Sequence, residues 1–237
     1  MATTDIRPPT GRAKMTSLRK TALAAGVFYL LSFVSVPTLS LYAPIRDPNF
    51  VAGPGPDTGV IWGGILEIIV ALAGIGTAVA LYPVLRRLNH GMALGFAGTR
   101  ILEAATIFSG VVIIMTLVTV RQAGAGAEAL VTGRALLGMH NWTFLLGQGF
   151  LPAVNAVLLG SLLFRSRLVP LALPVLGLIG APLLVTSVIA TMFGFWSQVS
   201  LQSALLTIPI AVWEFSLGIY LVVKGFKPAP GWASEIR

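Results

Sequence analysis

The 237-residue sequence contains no cysteine, which excludes disulfide bonds, thiolate metal sites, iron–sulfur clusters and cysteine nucleophiles. Charged residues are also scarce, because they make up 10% of the chain against about 25% of an average soluble domain. The net charge is +8, yet the basic residues form no continuous run, so no nucleic-acid partner is expected. Hydrophobic residues account for 56%. This composition excludes an ordinary soluble globule and is typical of an integral membrane protein.

Long apolar runs are the main pattern in the sequence. A bilayer core of about 30 Å is crossed by roughly 20 apolar helical residues. The runs are continuously apolar and do not alternate with polar residues, which favours helices over the strands of a membrane barrel. The predicted spans are 21–42, 60–85, 93–120, 142–164, 168–193 and 204–223. The sequence therefore predicts an all-α fold, a polytopic six-helix transmembrane bundle.

The basic residues predict the orientation of the bundle. Most of the 16 Lys and Arg fall in the two tails and in the second and fourth connections, and such residues concentrate on the cytoplasmic side. Both termini are therefore expected to be cytoplasmic. We expect a basic disordered tail over 1–20, a six-span domain over 21–226 and a cytoplasmic C-terminal tail over 227–237. The connection over 122–141, rich in Ala and Gly, is expected to be flexible or interfacial.

Small residues and prolines predict how the helices pack. Gly74 and Gly76 in the second span, with Gly91 and Gly95 at the start of the third, favour close contact between these two helices. The fifth span contains three prolines, Pro182 among them, and is expected to be kinked or partly unwound, and Pro152 and Pro209 are expected to interrupt the fourth and sixth spans. Such a helix either lines a substrate cavity or has an ordinary kink whose free backbone groups are hydrogen-bonded by neighbouring helices.

Four ionisable side chains lie inside the predicted spans, where a central charge costs about 2.5–3.5 kcal/mol on insertion scales. Arg100 and Glu103 are three residues apart, so they share a helix face and are expected to pair and to depend on each other. At a rise of about 1.5 Å per residue, the depths predict two polar layers. One layer contains Glu67 and Gln148, with His140 or Asn141 above them. The other layer contains Arg100, Glu103, Asn155 and Glu214.

The six residues Glu67, Arg100, Glu103, Gln148, Asn155 and Glu214 form a candidate intramembrane polar network. Two interpretations stay open. The network either forms interhelical hydrogen bonds that only stabilise the bundle, or it is a site that binds a ligand or a proton. Glu214 is the most informative member. With Arg100 already taken by Glu103, Glu214 is expected to hold a proton near neutral pH, because desolvation and like-charge repulsion disfavour its anion.

The sequence offers no recognisable catalytic or cofactor site. Every aspartate lies outside the predicted spans, so an intramembrane aspartyl protease lacks its catalytic pair. His90 and His140 belong to opposite membrane faces and cannot jointly ligate a metal ion or a haem. No lysine lies inside a span and no phosphate-binding loop is present. We therefore assign no catalytic residue, no metal and no cofactor, and we expect a non-enzymatic protein.

Several segments together resemble a known family. They are YPVLRR at 82–87, RILEA at 100–104, LFRSRLVP at 163–170, PIAVWE at 209–214 and KGF at 224–226. Their order and spacing, over about 18–226, resemble a bacterial family of integral membrane proteins described only as a domain of unknown function, DUF4386. The resemblance implies six spans and a multi-pass protein of the bacterial plasma membrane. It implies no catalytic residue, because the family has no established activity.

Two classes of function remain. The first is a structural or accessory protein that binds membrane lipids, a partner membrane protein or a second copy of itself. The second is a small-solute or proton-coupled transporter built around the buried Arg/Glu layer. The short chain, the local Arg100–Glu103 pair and the absence of an internal repeat favour the first class, whereas interrupted helices and buried carboxylates favour the second. An intramembrane enzyme acting on lipid is a third, less favoured class.

Overall fold

The computed structural model describes residues 17–47, 49–53, 56–124, 126 and 128–227. Within these ranges the structure is helical and contains no strand. The helices are α1 (Ser17–Leu31), α2 (Thr38–Leu41), α3 (Thr58–Leu88), α4 (His90–Gln122), α5 (Glu128–Phe144), α6 (Leu151–Ser166), α7 (Ala172–Met192) and α8 (Leu201–Val223). A 3-10 helix (Ser32–Ser35) lies between α1 and α2, and a π-helical segment (Leu145–Phe150) joins α5 to α6. Most of the two predicted tails lies outside the described residues.

Six helical segments are long and apolar enough to cross a membrane, which confirms the predicted all-α, six-helix class. They are Ser17–Leu41, Thr58–Leu88, His90–Gln122, Glu128–Ser166, Ala172–Met192 and Leu201–Val223. The guanidinium of Arg19 donates a hydrogen bond of 2.8 Å to the carbonyl of Leu221. The start of the first span and the end of the sixth therefore lie on the same side of the bundle, here called the terminal side. The opposite side is called the far side.

The fourth span begins much earlier than predicted. The structure starts this span at Glu128, so residues 128–141 are helical and the expectation of a flexible connection was wrong there. Gly, His and Asn dilute the hydropathy of this segment, but its Ala, Leu, Glu and Arg residues are strong helix formers. The resulting helix, α5, packs against α4. The first span also starts earlier, at Ser17, so residues 17–20 are helical.

The spans pack as a closed ring in chain order. α1 contacts α3 and α8, and the series continues from α3 to α4, α4 to α6, α6 to α7 and α7 to α8. The largest hydrophobic core fills the ring on the terminal side, with residues from all six spans. Trp213 and Leu217 of α8 are fully buried there, as are Leu85 and Phe96 of α3 and α4. A dense apolar layer therefore closes this end of the bundle.

The glycines of the spans contact other helices than the predicted pattern indicated. The predicted contact between the second and third spans is present, but the four glycines do not form it, and a Cβ on Gly74 would meet nothing within 4 Å. A Cβ on Gly76 would meet Phe28 of α1 at 2.7 Å, and a Cβ on Gly95 would lie beside Leu158 of α6. α7 is continuous through its internal Pro182, so the predicted partial unwinding of this helix is wrong. The glycines of α7 instead make room for side chains of α8.

The crossing of α1 and α8 depends on Gly26. A Cβ added there would lie 2.8 Å from the carbonyl oxygen of Gly218 and 2.8 Å from the backbone nitrogen of Val222. Because these are backbone atoms, the two helices would have to separate. We expect Gly26→Ala to destabilise the protein by about 1–3 kcal/mol, measured as a lower Tm in detergent.

Gly98→Ala is the matched control, because a Cβ at Gly98 meets no atom within 4 Å. Alanine is also the better helix former, by up to about 1 kcal/mol. We expect the Tm of this variant to stay the same or rise. Equal melting temperatures for the alanine variants of Gly26 and Gly98 would show that the α1–α8 crossing does not need its glycine.

Candidate functional site

A buried arginine lies between two carboxyl groups inside the ring. Arg100 on α4 is 5% exposed. Its Nη1 lies 3.0 Å from Oε2 of Glu103 on the same helix, and its Nη2 lies 3.1 Å from Oε1 of Glu214 on α8. The spacing of three residues brings Glu103 onto the same face as Arg100. Since α4 and α8 are not neighbours in the ring, the second salt bridge crosses the interior of the bundle.

The expectation that Glu103 alone occupies Arg100 was wrong. A guanidinium group has two Nη atoms that point in different directions, so one arginine can bind two separate carboxylates. The sequence shows the local pair at a spacing of three residues, but it cannot show that Glu214 points inward from α8. The cluster therefore has one fixed positive charge and two carboxyl groups.

Asn155 on α6 completes this layer. It is fully buried, and its Nδ2 donates a 2.7 Å hydrogen bond to Oε2 of Glu103. Its Oδ1 accepts a hydrogen bond from the hydroxyl of Thr99. The ring of Tyr29 on α1 lies 5.2 Å from the guanidinium carbon of Arg100, a distance at which cation–π attraction acts. The layer thus joins the first, third, fourth and sixth spans, and sequence reasoning missed Thr99 and Tyr29.

The second layer surrounds Glu67 on α3, which is 1% exposed. Its two carboxyl oxygens accept hydrogen bonds from the Tyr42 hydroxyl at 3.0 Å and from Gln148 Nε2 at 3.2 Å. Among the described residues, no basic side chain lies within salt-bridge distance of Glu67. The ring of His140 packs edge-on against Tyr42, with centroids 5.7 Å apart. Sequence reasoning missed Tyr42, because it placed this residue at the edge of a span.

A cavity of about 200 Å³ separates the two layers at the centre of the ring. Residues of all six spans contribute to its wall. The polar part of the wall consists of Ser32, Ser35, Arg100, Glu103, Gln148, Thr207 and Glu214. The apolar part includes Phe33, Val70, Ile107, Leu184 and Ile210. Gln148 connects the layers, because it lines the cavity and also binds Glu67.

Irregular backbone lies at the cavity. The 3-10 helix contributes Ser32 and Phe33 to the wall, and the π-helical segment contributes Gln148. Such interruptions in a spanning helix are tolerated where the backbone is buried or lines a cavity, and π-helical turns often mark functional sites. The predicted interruption of the fourth span at Pro152 agrees with the π-helical segment that directly precedes it, whereas α7 and α8 run continuously through Pro182 and Pro209.

Further space lies between the Glu67 layer and the far side. A pocket of about 60 Å³ has Tyr42, His140, Asn141 and Gln198 in its mixed polar and apolar wall. It shares Arg46, Asn141 and Gln198 with a wider pocket of about 540 Å³ between α5 and the loop that joins α7 to α8. Asn141 thus lies above the Glu67 layer, without a hydrogen bond to Glu67. Within the described residues, no three His, Asp or Glu side chains are grouped closely enough to hold a metal ion.

Six apolar spans around a buried polar cluster define the class, a multi-pass membrane protein. The model of the family described as "Domain of unknown function (DUF4386)" matches residues 24–225. This match covers most of the chain, so the protein belongs to that family. No curated protein and no solved structure matches the chain.

Proposed function

We propose that this protein is a non-enzymatic carrier of the bacterial plasma membrane, with both termini in the cytoplasm, that moves a small solute in a proton-coupled manner. The observation that carries the proposal is the central cavity, whose wall contains Arg100, Glu103 and Glu214. Arg100 lies about 15 Å along α4 from His90, so the cluster is deep in the span. Ionisable groups at this depth mark substrate sites and proton relays in membrane proteins.

The charge balance of the cavity supports coupling to protons. One arginine faces two carboxyl groups, and Glu67 adds a third carboxyl group behind Gln148. Full ionisation would leave an excess of negative charge in a medium that stabilises it poorly. Binding of a proton or a cation reduces this excess, so the cluster has a physical reason to exchange one for the other.

The two ends of the cavity differ in polarity, which suits a carrier. Towards the far side, the polar groups of Gln148, Glu67 and Tyr42 lead to the pockets near His140 and Asn141. Towards the terminal side, the large apolar core fills the ring. Polar groups on one side and a dense apolar core on the other fit alternating access better than they fit an open channel.

A lipid-binding or partner-binding accessory role is the second candidate. The rings of Phe33 and Phe215 are 5.2 Å apart, but beyond this contact the first span leaves α8 and packs against α3. Val36 in this stretch lines the cavity and is 60% exposed. The cavity therefore borders the outer surface of the bundle, where a lipid, a partner protein or a second copy would meet it.

Access to the cavity can be tested with single cysteines, because the sequence contains none. Ala104 lines the cavity, whereas Ala156 is equally buried in the apolar core. Ser197 and Gly91 are exposed on the far and terminal sides respectively. We expect a charged, membrane-impermeant thiol reagent outside intact cells to label cysteine at Ser197 and Ala104. Cysteine at Ala156 should not react, and cysteine at Gly91 should react only after permeabilisation.

Three outcomes would count against specific parts of this account. No reaction at Ala104→Cys, with normal reaction at Ser197→Cys, would contradict an aqueous path from the far side. Reaction of Ala104→Cys only with an apolar, lipid-soluble reagent would favour the lipid-binding candidate. Reaction of Gly91→Cys from outside intact cells would contradict the cytoplasmic orientation of the termini.

A further inference from the structure

We infer that the central cavity binds a small organic monocation with N–H donors, that is, an ammonium or a guanidinium group on a short apolar body. The inference names the substrate class of the proposed carrier and so rests on that function. It is carried by the hydrogen-bonding groups that the wall offers to a ligand.

The hydroxyl groups of the wall offer acceptors. Ser32 Oγ donates its hydrogen to the carbonyl of Tyr29 at 2.7 Å, and Ser35 Oγ donates to the carbonyl of Ser32 at 3.0 Å. Thr207 Oγ1 donates to the carbonyl of Ser203 at 2.8 Å. A hydroxyl has one hydrogen and two lone pairs. With the hydrogen engaged in its own helix, each of these groups retains only lone pairs for a ligand.

The carboxyl groups also have unused acceptors. Glu103 is 8% exposed, and its Oε2 accepts from both Arg100 and Asn155. Glu214 accepts from Arg100 through Oε1. No described residue donates a hydrogen bond to Glu103 Oε1 or to Glu214 Oε2. Glu103 is thus more than nine-tenths buried and lines the cavity, yet its Oε1 has no donor among the described residues. A ligand with an N–H group could supply that donor.

The positive charge of the wall is already neutralised. Arg100 is the one basic residue among the described residues that line the cavity, and each of its Nη atoms is directed at a carboxylate. An anionic solute would meet two carboxylates and no free cation. A cation with N–H donors would instead form charge-assisted hydrogen bonds to the free oxygens.

Size and apolar surface limit the body of the ligand. The cavity of about 200 Å³ is smaller than the range of about 300–1,000 Å³ that holds drug-sized ligands. Its apolar wall includes the ring of Phe33, which can pack against a short aliphatic or aromatic group. Benzylguanidinium is therefore a suitable probe, since it combines a permanent charge, several N–H donors and one ring.

The test compares four probes by the shift in Tm of the purified protein in detergent, because a ligand that binds only the native state raises Tm. We expect benzylguanidinium to raise Tm more than benzyltrimethylammonium, which has the same charge but no N–H donor. Benzyl alcohol should have a small effect and benzoate none. Equal shifts with benzoate and benzylguanidinium would overturn the inference, because they would show that charge does not select the ligand.

Variants locate the site. We expect Glu214→Gln and Glu103→Gln to weaken benzylguanidinium binding by at least about tenfold, because each removes a charged acceptor. Ala104→Leu keeps every charge but fills the cavity, and it should also abolish the shift. Glu128→Gln is the matched control, since Glu128 is exposed in the first turn of α5. Unchanged binding in Ala104→Leu and in Glu214→Gln would place the ligand elsewhere and overturn the inference.

Ethanolamine lipids carry the same N–H donor as a free amine, so binding is repeated in nanodiscs with and without phosphatidylethanolamine. If phosphatidylethanolamine competes with benzylguanidinium, the cation is a lipid head group. If it does not compete, the cation is a free solute. Both results support the inferred chemistry. Failure of the carrier proposal can be distinguished from failure of the cation-binding inference. Binding of benzylguanidinium without any transport would leave the cation site intact and remove the carrier function.

Discussion

Arg100→Leu is expected to destabilise the protein by about 3–5 kcal/mol, because it leaves buried carboxyl groups without their positive partner. Two carboxyl groups, those of Glu103 and Glu214, lose this partner at once. The packing of the Tyr29 ring against the guanidinium is lost as well. The measurement is thermal unfolding in detergent, with Arg165→Leu as the control. Arg165 is exposed in the last turn of α6, and its loss should change Tm little.

Neutralising the whole cluster should restore much of this stability. In Arg100→Leu/Glu103→Gln only Glu214 remains as an unpaired carboxyl group, so recovery should be partial. In Arg100→Leu/Glu103→Gln/Glu214→Gln none of the three charges of this layer remains, and Gln at position 103 still offers an oxygen to Asn155 Nδ2. Replacing a complete buried ion pair by neutral groups is often nearly neutral for stability. If the loss of stability increased additively from the single to the triple variant, the three side chains would not form one electrostatic unit.

The sequence predicts the depth of the polar residues well, because the rise of a helix is fixed at about 1.5 Å per residue. Depth alone placed Glu67 level with Gln148, and Glu103 level with Glu214. In the structure Gln148 donates to Glu67, and Glu103 and Glu214 share Arg100. The six spans follow from apolar run length in the same way, since hydropathy is a property of the sequence alone.

The direction in which a side chain points around its helix was not predictable. Tyr29, Tyr42 and Thr99 all complete the polar layers. In an apolar run, however, Tyr and Thr look like ordinary components of a membrane helix. Their roles depend on the ring order of the spans, which is set by contacts such as the one at Gly26. A single sequence contains no direct signal for that order.

Helix irregularity was predicted only in part. Prolines pointed to the fifth span, yet α7 is continuous through Pro182. Neighbouring glycines instead admit the side chains of Trp213 and Ile210. The interruptions that line the cavity lie in the 3-10 helix and the π-helical segment. Pro37 and Pro152 follow these segments within two residues, and a proline cannot donate to the carbonyl four residues earlier, here that of Phe33 or Gln148. The prolines of the sequence therefore indicated the interruption of the fourth span, but not that α7 and α8 continue through Pro182 and Pro209 without a break.

Glu214→Gln is expected to abolish proton-coupled transport while preserving the fold. The amide keeps the size of the carboxyl group and can still accept from Arg100 through its oxygen. It cannot exchange a proton, and it offers no charge to a cation. Since a proton and a cation would compete for the same carboxyl oxygens, we expect the carrier to exchange one for the other. Wild type should therefore release protons as it takes up the cation, and Glu214→Gln should not.

The most direct test uses proteoliposomes that contain a pH-sensitive dye and an acidic interior, with benzylguanidinium added outside. The account predicts that the interior becomes alkaline with wild type and with the control Glu128→Gln, and stays acidic with Glu214→Gln and in protein-free vesicles. Equal alkalinisation with Glu214→Gln would contradict the role of the buried cluster. A wild type that binds benzylguanidinium but moves no protons would contradict the carrier function.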